Sequence, residues 1–398
     1  MSIKVEQLDH WVTEVRDDVV QWRRHLHAHP ELSFEEEKTS QFVYDTLNSF
    51  HAFELDRPTR TSVVARLHGT KPGPVVAVRA DIDALPIVEE NDFAFASRTP
   101  GVMHACGHDG HTAILLGVAK ILSRLQEHLT GEVRLLFQHA EELYPGGARE
   151  LVQAGVVDGV DAIIGAHLWT SLEVGKIGIT VGPMMAAPDT FHIVIIGKGG
   201  HAGQPHLTVD SIAVAAQVVT NLQHIVSRNT DPFETLVVSV TQFVAGTTNN
   251  VIPGSAELVG TVRSFNPDLR RETPKLMERV IKGVAEAHGA AYRFTYNHGY
   301  RPVVNDARVT QRLRESMLEA FGPAAIVDNI RTMAGEDFSA YQSKIPGSFF
   351  FIGAGNPAKG IAYPHHHARF TVDEEALAIG VKAYLSGIFK LLEDGVKG

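Results

Sequence analysis

The side chains richest in chemistry fall within "MHACGHDGHTA", Met103 to Ala113, where the one cysteine of the chain, Cys106, stands among His104, His108, Asp109 and His111. Thiol, imidazole and carboxylate together bind divalent transition metals or serve as nucleophile and base. Cys106 and His108 are two residues apart, so an extended loop turns both the same way. Asp81 and Asp83 in "RADID", Glu141 and Glu142 in "HAEE", His167 in "GAHL" and three histidines in "YPHHHARF" supply further donors. Mixed sulfur, nitrogen and oxygen donors suit zinc, manganese or cobalt better than calcium or magnesium, which take oxygen. On its own a single cysteine reads as a small buried apolar residue. The flanking histidines turn that reading toward a metal ligand. A thiol nucleophile activated by His108 or His111 is the competing chemistry, and it leaves Glu141, Glu142, His167 and His366 without roles.

These clusters need elements to bring them together. A run of Leu8, Val12, Val15, Val19, Trp22 and Leu26 at helical spacing ends at Pro30. Apolar strand-like runs follow in "SVVARL", "PVVAVRAD", "EVRLLFQHAEE" and "DAIIGAHL", and "HTAILLGVAKILSRLQEHL" predicts an amphipathic helix between the second and third. The pattern resumes late, with a helix around Val309 to Phe321, the strand "GSFFFIGAG" and a helix from Asp373 to Leu392. Near-continuous apolar strands alternating with helices predict an α/β fold on a mostly parallel sheet. Each polar cluster sits at the C-terminal end of a predicted strand or the start of a helix. In such sheets those ends share one edge, where ligands bind.

The middle of the chain reads differently. Strand, helix, two strands, helix and strand follow one another from "DTFHIVIIGKG" to "AAYRFTYNH". This is the ferredoxin-like β-α-β-β-α-β order. The expectation is a discontinuous catalytic metal-binding domain, residues 1–187 plus 299–398, interrupted by an inserted domain at 188–298.

Composition narrows the partners. Acidic residues outnumber basic ones by 46 to 36, without a basic stripe, which argues against nucleic acid. No apolar run suffices to span a bilayer, and the start has no signal-peptide core, so no membrane association is expected. One cysteine forms no internal disulfide, and a cytoplasmic protein is expected.

The quoted motifs, with "HLHAHPELSFEE", "RADIDALPI", "GGHAGQPH", "NVIPGSAELVGTVRSF" and "GEDFSAY", resemble the co-catalytic metallo-amidohydrolases. These include hippurate hydrolases, N-acyl-amino-acid amidohydrolases and indoleacetyl-amino-acid hydrolases, with related aminoacylases and carboxypeptidases. The resemblance runs from about Trp22 to the last helix. It implies two divalent ions (Mn, Zn or Co) on Cys106, His108, Glu142, His167 and His366, with Glu141 as catalytic base. The assignment of His366 rests on its distance from Phe370, and His365 and His367 remain alternatives. The inserted domain is implied to be a lid that also dimerises, giving a homodimer or higher homo-oligomer. His201 is implied to assist catalysis, Asn250 and Arg263 to bind substrate, and Asp83 to orient a ligand. The implied reaction is hydrolysis of a small-molecule N-acyl amino acid. A carboxypeptidase or dipeptidase on the same machinery is the alternative, and a silent metal- or ligand-binding relative is a further one. The chain departs from the pattern at His139 and Ala368, where relatives commonly carry proline.

Overall fold

The structure is a computed structural model that describes residues 5–395. The chain divides into two compact units, one of residues 1–184, 303–331 and 337–398, the other of residues 185–302 and 332–336. The short segment Thr332–Glu336 joins the smaller unit because it lies along its first strand. Ala186 donates to the Ala334 carbonyl at 3.0 Å, and Pro188 packs on Gly335 so closely that a Cβ there would meet its ring at 2.5 Å.

The larger unit is built on an eight-stranded sheet. Its strands run in the order Glu54–Asp56, Val63–His68, Thr130–Gln138, Lys71–Asp81, Ala162–Glu173, Gly347–Gly355, Ile177–Ile179 and Ile326–Asp328. The four central strands are parallel to one another. They are the continuous apolar runs of the sequence, and Val76, Val78, Leu135, Phe137, Ile164, Phe350 and Ile352 are fully buried. Only strands covered from water tolerate such runs.

Register aligns the chemistry. Asp81 pairs with Gln138, Arg79 with Gly165, and His167 with Phe351. Two residues beyond Arg79 and Gly165, Asp81 and His167 therefore stand level. Helix His108–Leu125 starts from Gly107, whose φ of 99° is left-handed and favours glycine. It lies so near the strand Ala162–Glu173 that a Cβ on Gly110 would come within 2.4 Å of Leu168.

The smaller unit holds four antiparallel strands in the order Leu236–Ala245, Ser255–Ser264, Ala187–Ile196 and Ala291–Asn297. Helices Ser211–His224 and Pro267–Ala287 complete the β-α-β-β-α-β succession. Both have built-in starts, because Asp210 and Asn266 accept the free amides of the first turn. Buried Phe191, Ile193, Val218, Leu222, Leu258, Met277 and Ile281 form its own core. Among the described residues no helix is long and apolar enough to cross a membrane.

Candidate metal centre

Asp83 organises one side of the sheet edge. It is buried, and one oxygen faces His108 Nδ1 at 3.1 Å. The other accepts from the Ser33 hydroxyl at 2.7 Å and the Glu142 amide at 3.0 Å. His108 Nδ1 faces Asp83 and Nε2 turns inward, where a bound metal would take the place of the Nε2 proton. That Nε2 is buried without a hydrogen-bond partner, 3.9 Å from Glu142 Oε1. Burial alone would lower the His108 pKa, but Asp81, Asp83 and Glu142 outweigh it and raise it to about 10. The carboxylates thus draw positive charge to a spot where imidazole is the nearest carrier.

The Leu168 peptide organises the other side. Its amide donates to His111 Nε2 at 2.8 Å, so His111 carries its proton on Nδ1 and donates it to Asp81 at 2.6 Å. Both nitrogens of His111 are occupied, which makes it a brace between strand ends. The Leu168 carbonyl accepts from His167 Nδ1 and from His365 Nε2, each at 2.8 Å. His167 is left with Nε2 toward Cys106 Sγ, 3.4 Å away. Burial pushes the Cys106 thiol well above its ordinary range, and Glu142, Glu141 and Asp81 push the same way. A nucleophilic thiol needs the opposite environment. A thiolate here calls for cations.

The three consecutive histidines have different partners. His365 is bonded to Leu168 and stacked on Trp169 with ring centroids 4.4 Å apart. His367 stacks on Tyr363 and accepts from the Arg369 amide. His366 has a left-handed φ of 65°, is held by a 2.8 Å bond from its amide to the Ala105 carbonyl, and places Nε2 3.2 Å from Glu142 Oε1. Donor atoms of Cys106, His108 and His167 lie within 4.8 Å of one another, and so do those of Cys106, Glu142 and His366. Cys106 is common to both groups. Glu141 joins His108 and Glu142 in a third such group and is 8% exposed. The orphaned His108 Nε2 and the mixed donor set fit a pair of divalent cations.

Residues that the sequence analysis did not assign support this cluster from beneath. Arg79, fully buried, donates to Gln138, Asp81 and Asp337 at 2.7 to 2.8 Å. Gln138 and the Ala148 amide also donate to Asp337. An arginine two residues before an aspartate in an apolar strand was the signal, since both share one face. Arg23 and His27 of the first helix both reach Asp109 at 2.8 Å, and His27 also meets Glu89 at 3.0 Å. His27 is therefore fully buried in an ion network.

His201, Asn250 and Arg263 belong to the smaller unit. His201 pairs with Val251 on a two-stranded ribbon, which brings Asn250 beside it. His201 Nδ1 accepts from the Gly203 amide at 2.9 Å, so the neutral ring carries its proton on exposed Nε2. Arg263 is half-buried; burial lowers its pKa and the Asp189 carboxylate partly offsets this. Asp189 itself is engaged by Arg270, Tyr296 and the Gly299 amide.

Residues 77–390 match the description "Peptidase family M20/M25/M40". A Geobacillus stearothermophilus protein named N-acyl-L-amino acid amidohydrolase is 68% identical over 300 residues, 75% of this chain and 81% of its own. Thermostable carboxypeptidase 2 of Saccharolobus solfataricus is 39% identical over 384 residues, 96% of this chain and 97% of its own. The crystal structure of a dinuclear metal binding peptidase of the M20 family from Bacillus subtilis aligns with a TM-score of 0.83 and 39% identity, covering 96% of this chain and 99% of that one. With a family match that spans most of the sequence, and relatives that match it nearly end to end, the chain belongs to peptidase family M20/M25/M40.

Proposed function

We propose that the protein is a metal-dependent amidohydrolase that cleaves the amide bond of N-acyl amino acids. The observation that carries this reading is the pair of donor groups sharing Cys106 beside Glu141. The 68% identical amidohydrolase supports the substrate class. Cys106, His108 and His167 would hold one divalent ion, and Cys106, Glu142 and His366 the other, with manganese, zinc or cobalt as the metal. Bound there, the ions supply Lewis acidity and acidify a water to a pKa of about 7.

Glu141 takes the proton of the attacking water and delivers it to the departing amine. The water oxygen adds to the carbonyl carbon as the C=O π electrons move onto oxygen, and collapse of that adduct then breaks the C–N bond, which gives a carboxylate and a free amino acid. His201 Nε2 donates to the carbonyl oxygen as negative charge grows on it, a contribution of about a hundredfold or more in rate. Arg263 binds the α-carboxylate and Asn250 the carboxylate or the amide. Asp83 and the Leu168 carbonyl hold the His108 and His167 rings in their tautomers. These roles give the smaller unit, residues 188–298 at its core, the part of a lid and dimerisation module. Its edge strand Leu236–Ala245 leaves Phe243 and Val244 exposed, which supports a homodimer. A cytoplasmic location accords with the single cysteine.

A carboxypeptidase is the second reading, favoured by the Saccharolobus relative's name. One screen separates them. The protein is assayed on N-acyl amino acids and on dipeptides as isolated, after chelation, and after addition of manganese, zinc or cobalt, with metal analysis of each sample. Chelation should abolish hydrolysis of N-acyl amino acids and added metal restore it. A remetallated protein inert toward the whole panel would refute the reading, and faster turnover of dipeptides would replace it with the second.

A further inference from the structure

Glu36 occupies the position just before helix Glu37–Asn48, where a side chain ordinarily caps the free amides. It makes no such bond. Its carboxyl, fully buried, turns the other way: Oε1 accepts from the amides of Phe34 at 2.9 Å and Ala140 at 2.8 Å, and Oε2 from the Thr61 hydroxyl at 2.9 Å. Phe34 and Ala140 are two of the five non-glycine residues with positive φ among those described, at 67° and 47°. That conformation is disfavoured for any residue with a Cβ and persists only where its surroundings impose it. One carboxylate oxygen thus holds both in place. Ala140 immediately precedes Glu141 and Glu142. The same turn also fixes the neighbouring loop, since Ser33 bonds to Asp83 and the Glu31 carbonyl accepts from the Ala84 amide at 2.8 Å.

We infer that Glu36 is a positioning residue which, through the Ala140 amide, sets the direction in which Glu141 and Glu142 leave their strand. The inference rests on the functional reading above. Ala140 takes its left-handed φ two residues after the strand Thr130–Gln138 ends, and the Gly147 amide donates to the Ala140 carbonyl at 3.0 Å. Without an acceptor for its amide, Ala140 relaxes toward negative φ. The two glutamates then rotate away from His108 while every ligand side chain is still present. Burial, reinforced by the charge of Asp83, raises the Glu36 pKa to about 7. The site therefore tolerates a neutral acceptor, which makes glutamine the conservative replacement.

The test compares Glu36→Gln and Glu36→Met with the wild-type enzyme loaded with manganese, on the N-acyl amino acid that the wild type hydrolyses best. Bound metal is counted, and amide hydrogen exchange is followed across residues 138–144. The methionine variant should lose about thirtyfold or more in kcat, keep KM within about threefold, and exchange the Ala140 amide about tenfold faster. The glutamine variant, whose amide oxygen still accepts, should stay within about threefold of wild type in kcat and keep the slow exchange. Equal loss in both variants, or wild-type kcat in the methionine variant, would overturn the inference. If the methionine variant does not fold, the glutamine variant decides alone: folded, metal-loaded and slow, it refutes the role. Should the wild type hydrolyse no substrate, the functional reading fails by itself, and the exchange of the Ala140 amide still decides whether Glu36 holds the turn.

Discussion

Replacing Arg79 with methionine probes the foundation of the site. The guanidinium is 1% exposed and spans Asp81, Gln138 and Asp337. After the substitution Gln138 Oε1 keeps the Tyr341 hydroxyl at 3.0 Å, and Asp337 keeps Gln138 Nε2 and the Ala148 amide. Asp81 fares worst. Burial opposes its ionisation, and with Arg79 gone only His108 and His111 remain of the groups that hold its carboxyl well below the ordinary range. Removing one partner of a buried pair costs about 3–5 kcal/mol, because an uncompensated charge stays behind. The residual bonds to Asp81 and Asp337 place the expected loss at the lower end, about 3 kcal/mol. Urea unfolding followed by tryptophan fluorescence measures it directly, since Trp11, Trp22 and Trp169 all lie in the larger unit. Chelator must be present in every sample, because bound metal would stabilise the folded state by mass action. The double variant Arg79→Met with Asp81→Asn should recover part of the loss, because the stranded charge is then gone. A loss below about 1 kcal/mol, or no recovery in the double variant, would refute the assignment of Arg79 as the counter-charge that makes the buried carboxylates tolerable.

Three further outcomes are expected. Glu141→Gln should retain both metals by elemental analysis and lose at least about a hundredfold in kcat; preserved turnover removes Glu141 as the base. Cys106→Ala should lower metal content below two ions per chain, since its sulfur is common to both donor groups, and full loading would contradict that shared role. For Glu36, a carboxyl whose pKa rises from 4.5 to about 7 on folding, the native state holds a proton that the unfolded chain releases between those values. Stability of the metal-free protein should therefore fall as pH rises from about 4.5 to about 7, by up to about 3 kcal/mol, and level off above. Glu36→Gln should flatten this window in urea titrations, and an unchanged slope would assign it to other groups.

Much of this architecture is written locally. The runs "VVAV", "RLLF" and "SFFFIGA" are strands because only burial on both faces accommodates them. Donors placed just beyond such runs must gather wherever parallel strands end together. Cys106 and His108 do not share an extended loop: the left-handed Gly107 lies between them and starts the helix that carries His108, so the spacing marked the pair while the turn sets their directions. What each imidazole does is another matter, since it depends on which group takes the opposite ring nitrogen, and that group is far away in the chain. His111 is a brace because Leu168, 57 residues on, donates to it. His365 is committed to the same peptide 197 residues away, which leaves His366 facing Glu142. Glu36, beside helix-forming sequence, reads as an ordinary helix start until the Ala140 amide, 104 residues later, reaches its carboxyl. Hydrophobic periodicity is a property of neighbours in sequence and survives without tertiary structure. Hydrogen-bond allocation among buried polar groups is decided only once the sheet has set its register, because each donor and acceptor must then be matched with whatever the fold has brought within about 3 Å.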